Sequence, residues 1–264
     1  MNVEILIVTY RKDFHYLEWC LKSIGQFAKG FSDVTIVVPA FDVAPLLQLL
    51  IPFQDMACPV RITSGDEWPE KGMLWHMHQI MTADDICPEA DFIVHIDSDC
   101  IFTGPVTPET YIKNGKPILR YEPFEKILKR HPGIAWREVT QRGLPFFIRN
   151  ETMRCHPEVY HRGLYAETRR LVEKRTGKSC EDYIRSGQNA FPQEFCEFNT
   201  LGNVAMQYFR PLYECIEQTG DTVEPDNHLT QFWSHGPLDQ PQQIWIRGVE
   251  QKVVPLEVIQ KVLG

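Results

Sequence analysis

The sequence contains no C-x-x-C pair, although it carries eight cysteines: Cys20, Cys58, Cys87, Cys100, Cys155, Cys180, Cys196 and Cys215. Scattered singly, they exclude a zinc ribbon or a dithiol redox motif. They fit a reducing, cytosolic setting in which free thiols are mostly structural. Long apolar runs are also missing. The most apolar stretch, Ala44 to Phe53, holds Gln48 and two prolines, and falls well short of the ~20 residues that a membrane span needs. Nor is there an amphipathic basic helix that would anchor the chain to a membrane surface. Positive charge is in deficit: 27 Lys and Arg stand against 35 Asp and Glu, a net charge of −8. A nonspecific nucleic-acid binder displaces counterions with Lys and Arg, so that role is not expected. The basic runs around Lys126 to Arg130 and Arg162 to Arg175 read as solvated helix faces. The first residues, Met-Asn-Val-Glu-Ile-Leu-Ile-Val, lack a basic segment ahead of the apolar run and read as a buried strand, not a signal peptide.

What is present is an ordinary globular composition. Hydrophobic residues make up 43%, too many for a disordered chain, and 264 residues suffice for a sizeable core. The first hundred residues alternate two periodicities. Val3 to Thr9, Val34 to Val38, Val60 to Thr63 and Asp91 to Ile96 are short, β-branched apolar runs, the pattern of strands buried on both faces. Between them, Asp13 to Phe27, Val43 to Leu50 and Gly72 to Ala83 carry apolar residues at helical spacing. The order βαβαβαβ predicts an α/β fold, a mostly parallel sheet with helices on both faces. One domain over residues 1–264 is expected, its halves meeting at residue 102.

The second half is less regular. Strands are expected at Ile118 to Tyr121, Phe146 to Arg149, Thr230 to Trp233 and Ile244 to Arg247. Helices are expected from Pro157 to about Arg175, closed near Gly177, from Pro192 through Met206, and from Pro255 to Leu263.

Ligands of open parallel sheets bind beyond the carboxyl ends of the strands. Two polar clusters fall there: Thr9-Tyr10-Arg11 after the first strand and Asp97-Ser98-Asp99 after the fourth. In an extended segment residues i and i+2 point the same way, so Asp97 and Asp99 converge on one point. Two hard oxygen donors suit Mg²⁺ or Mn²⁺ together with substrate phosphates. Arg11 is positioned to meet a nucleotide or diphosphate, with Lys71 as a second phosphate-neutralising group and Gln79 at the far end of the same helix. His235, in Trp233-Ser234-His235-Gly236, is a candidate third ligand through a neutral imidazole. His76 and His78 do not share a helix face and read as structural, as does His95 inside its strand. His156 stays open between a capping contact and a role in the site. Glu194 and Glu197 lie three apart in an aromatic stretch, where a carboxylate beside a reacting hydroxyl could serve as general base.

The chain resembles the glycosyltransferases of GT-A fold, and is similar to the DUF6492-type family. The resemblance is carried by Val3-Glu-Ile-Leu-Ile-Val-Thr-Tyr10, by Lys71 through Gln79 leading into His95-Ile-Asp97-Ser-Asp99-Cys-Ile-Phe102, and by Glu197-Phe-Asn-Thr-Leu-Gly202. The last looks like an E-Y-x-x-Y-G pattern with Phe198 in place of the first tyrosine. The family's paired glutamine before the metal strand reads His78-Gln79 here.

The resemblance implies a single GT-A, Rossmann-like domain. Residues 1–102 would bind a nucleotide sugar, commonly a UDP-sugar, and residues 103–264 a glycan or other small hydroxyl acceptor. Asp99 would bind the divalent ion directly and Asp97 the ribose or the metal. Thr9, Tyr10, Arg11, Lys71, Gln79 and Ser98 would line the donor, His235 would complete the metal set, and Glu197, with Glu194, would face the acceptor. Three rival readings remain. A haloacid-dehalogenase-type phosphatase would use Asp97 as nucleophile, but the fifth motif position is Ile101. A nucleotidyltransferase would open on a glycine-rich loop, which Thr9-Tyr10-Arg11-Lys12-Asp13 lacks. A non-catalytic sugar- or nucleotide-binding module has no use for intact Asp97, Asp99 and Glu197.

Overall fold

The computed structural model describes residues 1–66, 68, 71–130, 136–188, 195–218 and 228–231. Strands Val3–Val8 (β1), Val34–Pro39 (β2), Val60–Gly65 (β3) and Phe92–His95 (β4) alternate with helices Phe14–Phe27 (α1), Val43–Leu49 (α2), Gly72–Met81 (α3) and Ala83–Ile86 (α4). This is the predicted alternation. Strand Cys100–Phe102 (β5), helix Pro108–Tyr111 (α5) and strands Ile112–Lys113 (β6) and Lys116–Pro123 (β7) follow. Next come helices Phe124–Arg130 (α6) and Trp136–Gly143 (α7), then strands Asn150–Glu151 (β8) and Glu158–His161 (β9). Helices Gly163–Thr176 (α8), Cys180–Arg185 (α9) and Glu197–Tyr208 (α10) and strands Glu214–Glu217 (β10) and Leu229–Gln231 (β11) complete the order.

The central sheet runs β3-β2-β1-β4-β9. Its first four strands are parallel and β9 closes the edge antiparallel to β4. Alternate residues of β1 enter different cores. Val3, Ile5 and Ile7 pack with α1, while Leu6 and Val8 pack with α3, α8 and α10. The two-residue period of a strand and the apolar faces of helices on both sides thus account for one another. The chain leaves β1 toward β2 and β3, then returns to the other side of β1 as β4. The order reverses between β1 and β4, where the crevice of such sheets opens.

Three expectations are corrected. The helix from Pro157 is instead β9 followed by α8. Val159 and Tyr160 are fully buried on opposite sides of the sheet, and β9 satisfies the backbone edge of β4 that would otherwise lie unpaired. Gly177, at φ +70°, ends α8 in the left-handed conformation expected of a closing glycine. Phe146 to Arg149 is not a strand. The Gln141 amide accepts from Ile148 N–H at 2.8 Å and donates to the Phe146 carbonyl at 2.7 Å, taking bonds that a neighbouring strand would supply. The helix over 72–83 breaks at Thr82, whose hydroxyl donates back to the His78 and Gln79 carbonyls, each at 3.2 Å.

The expected helix from Pro192 begins at Glu197 among the described residues. The strand expected at Thr230 is β11, paired antiparallel with β5. Residues 192, 233 and 244–263, with the elements expected on them, lie outside the described residues. Among the described residues, no helix is long and apolar enough to cross a membrane.

Candidate functional site

Asp97 and Asp99 follow β4 at the switch point. Their loop is fixed from both sides. Thr9, the residue after β1, donates its hydroxyl to Ser98 Oγ at 3.0 Å with both residues buried. From below, the Cys20 thiol on α1 lies 4.0 Å from the Asp97 carbonyl. Asp97 keeps a side chain 30% exposed while Asp99 is 4% exposed, so one carboxylate looks outward and the other is set into the wall.

Gln231, the last residue of β11, joins the two. Its Nε2 donates to Asp97 Oδ2 at 2.9 Å and to Asp99 Oδ1 at 3.3 Å. Two carboxylate oxygens within hydrogen-bonding distance of one nitrogen face a common point, but the chain between them is a turn, closed by the Cys100 N–H on the Asp97 carbonyl at 3.0 Å, and not the extended segment expected from the i, i+2 spacing. This donor chemistry, two hard anionic oxygens converging, fits a divalent cation such as Mn²⁺ or Mg²⁺. Among the described residues no three His, Cys, Asp or Glu side chains form a ready-made ion cage. His235, the expected third ligand, and Glu194 lie outside the described residues.

Two imidazoles flank Asp97. His156 Nε2 is 3.1 Å from Oδ2, and His76 Nε2 is 3.7 Å from Oδ1. Burial works against a charge on His156, but the carboxylates of Asp97, Glu158 and Asp99 more than offset it and lift the ring to about 9. Geometry agrees. The other ring nitrogen, Nδ1, faces the His95 carbonyl at 3.4 Å, so both nitrogens meet acceptors and both are donors. His76 is lowered, chiefly by burial, with Asp97 opposing and His156 adding to the fall. His76, expected to be structural, thus stands beside Asp97, a proximity that its spacing from His78 on the helix does not reveal. His95 is structural as expected. It is buried against the Tyr165 hydroxyl and depressed to about 3 by burial and by the neighbouring His156 charge.

The remaining expected donor residues divide. Tyr10 donates its hydroxyl to the Gly72 carbonyl and stacks on His76 with centroids 6.5 Å apart, so it belongs to the same wall. Arg11 is exposed, and its backbone N–H donates to Asp42 Oδ2 at 2.9 Å. Lys71 donates to the Arg185 carbonyl at the start of α3. Gln79 is buried and turned toward β3, where a Cβ on Gly65 would come within 2.7 Å of its Oε1. Neither Lys71 nor Gln79 has a bond to Asp97 or Asp99 among those described.

Glu197 opens α10 and is 5% exposed. The next residue ties it to the site: the Phe198 ring packs edge-on against His156 at 5.6 Å and His95 at 5.5 Å. Behind this wall lies a buried acidic layer. Burial raises Glu158 to about 8, against the opposing pull of His156, and raises Glu151 to about 7 against Arg154. Sequence reasoning left His156 undecided and did not find Gln231. Neither sits in a local pattern that announces a partner 59 or 134 residues away.

Comparison with known proteins returned a match of residues 4–219 to the family of unknown function DUF6492. No curated protein matches the chain.

Proposed function

The chain belongs to the DUF6492 family, and from the chemistry of its site we propose that it is a divalent-metal-dependent glycosyltransferase of GT-A type. It would move a sugar from a nucleoside diphosphate sugar, a UDP-sugar by the resemblance, to the hydroxyl of a glycan or other small acceptor. The observation that carries this reading is the convergence of Asp97 and Asp99 on one point at the β1/β4 switch. Asp97 and Asp99 would hold Mn²⁺ or Mg²⁺, with His235 the third donor that the sequence offers. When bound, the ion supplies Lewis-acid stabilisation of the leaving diphosphate.

The chain's own groups do the rest. His156, bonded to Asp97 at 3.1 Å, would fix that carboxylate's orientation beside the ion. The Thr9–Ser98 bond ties the segment after β1 to the loop that carries the two aspartates. Glu197, at the head of α10, would face the acceptor. It would take the hydroxyl proton if configuration inverts, and orient the acceptor if configuration is retained. A phosphatase reading needs Asp97 as a free nucleophile, whereas here its Oδ2 is held by two donors, His156 and Gln231.

The test is release of free nucleotide from a panel of nucleotide sugars in the presence of Mn²⁺. Release from one donor, abolished by Asp99→Asn and by chelation, is the expected result. Phosphate set free from simple phosphoesters, with every nucleotide sugar left intact, would overturn the proposal.

A further inference from the structure

Gln231 is an amide placed where a cation would be expected. It reaches the two aspartates from β11, a strand whose backbone is locked antiparallel to β5: Gln231 pairs with Cys100 and Thr230 with Ile101. Cys100 is the residue after Asp99. The Gln231 amide is therefore held at a fixed height above the carboxylates by a ladder that begins one residue from one of them.

Two carboxylates aimed at one point repel each other, and the amide NH₂, with one hydrogen for each, relieves this. A donor hydrogen and a cation cannot share that place. The torsion that turns a glutamine amide is soft and nearly two-fold, and a half-turn brings Oε1 to where Nε2 stood. A glutamine carbonyl is a suitable oxygen donor for a hard cation.

On these grounds we infer that Gln231 is itself a metal ligand. It holds Asp97 and Asp99 together through its NH₂ before the ion arrives and presents its carbonyl oxygen to the ion afterwards. The inference rests on the metal-dependent reading above. It adds a neutral donor from β11 to the two charged donors from the loop after β4, so the set gains an oxygen without a third negative charge.

The experiment measures Mn²⁺ binding to the full chain without nucleotide, by the electron paramagnetic resonance signal of free Mn²⁺. Gln231→Met keeps an unbranched side chain of similar length and loses the oxygen. It is expected to weaken binding ~10-fold or more, the scale at which losing a supporting group alters metal sites. Gln231→Asn, whose shorter arm withdraws the amide, is expected to weaken it comparably, and Gln231→Glu to restore or exceed wild-type affinity. Thermal unfolding without metal shows whether each variant is folded. If Gln231→Met fails to fold, Gln231→Asn decides. Wild-type affinity in a folded neutral variant, or tighter binding, would mean that the amide only competes with the ion, and would overturn this inference while the metal reading stands. Mn²⁺ binding that is absent in the wild type, or unchanged by Asp99→Asn, would overturn both.

Discussion

Gly202→Ala tests the packing that carries Glu197 and Phe198 to the site. In an exposed helix the change is favourable, because glycine is about 1 kcal/mol less stable than alanine at such a position. Here α10 lies against Thr152, which is fully buried. A Cβ on Gly202 would overlap Thr152 Oγ1, stand 2.5 Å from Thr152 Cβ and 3.0 Å from Cγ2. Thr152 cannot step aside. Its N–H donates to Asn199 Oδ1 at 2.7 Å and its hydroxyl to the Phe198 carbonyl at 3.1 Å, both on α10 itself. Overpacking a fixed core costs ~1–3 kcal/mol. With the overlap on two atoms the upper end applies, and subtracting the helix gain leaves a net loss of about 2 kcal/mol. For a chain of this size that lowers the unfolding midpoint by about 4–8 °C. Urea and thermal unfolding read it directly. A double-mutant cycle sharpens it. Thr152→Ala removes Oγ1 but keeps the overlapping Cβ and should relieve the loss only in part, whereas Thr152→Gly removes both and should relieve it further, with a coupling of at least ~1 kcal/mol. A Gly202→Ala protein as stable as wild type, or more stable, would refute the close approach of α10 to Thr152.

Three further outcomes follow from the structure. Phe198→Ala removes a buried ring that touches His95, His156 and Tyr160. It should cost ~3–5 kcal/mol, as for other buried aromatics, measured by urea unfolding, and a loss under 1 kcal/mol would contradict that packing. Arg154→Met leaves Glu122 and Glu151 without the guanidinium now 3.1 and 2.8 Å from them. Stripping one partner from a buried ion pair costs ~3–5 kcal/mol, so a midpoint unchanged in denaturant would argue against the network.

Stability should also fall as pH rises. Glu158 and Glu151 are raised in the folded state to about 8 and about 7, above the ordinary carboxylate value. The folded chain therefore binds protons that the unfolded chain has released. The contribution is fully present below the unfolded value near 4.5 and is lost as pH climbs through 7 to 8. Unfolding at pH 5.5 and 8.5 should show the decline, and Glu158→Gln should flatten part of it. A Glu158→Gln protein with the wild-type slope would show that Glu158 is not the group responsible.

Much of the first hundred residues was legible because local chemistry there agrees with the global fold. The runs at Val3, Val34 and Phe92 are buried on both faces, so they are mostly apolar, each with one buried polar residue: Glu4, Thr35 and His95. The Asp97–Asp99 pair was visible as a polar cluster after a strand, but the extended geometry expected of it is replaced by a turn over Ser98 and Asp99. Past residue 102 the same reasoning lost its hold at particular places. Pro157 reads as a helix start, but Val159 and Tyr160 respond to the open edge of β4, which lies more than sixty residues upstream. Phe146 to Arg149 has strand composition, yet one glutamine side chain, Gln141, takes its backbone bonds.

By itself, then, the sequence determined the α/β alternation and the strand that delivers the aspartates. Both depend on period and on neighbours within a few residues. Only the tertiary structure decided what surrounds those carboxylates. His156 arrives beside β9, His76 from α3, Gln231 from β11 and the Thr9 hydroxyl from the end of β1. Each is an ordinary polar residue in its own segment. It acquires a role because strand order, not sequence distance, sets which side chains share a buried crevice, where the carboxylates of Asp97, Glu158 and Asp99 together outweigh burial and lift the His156 imidazole to about 9.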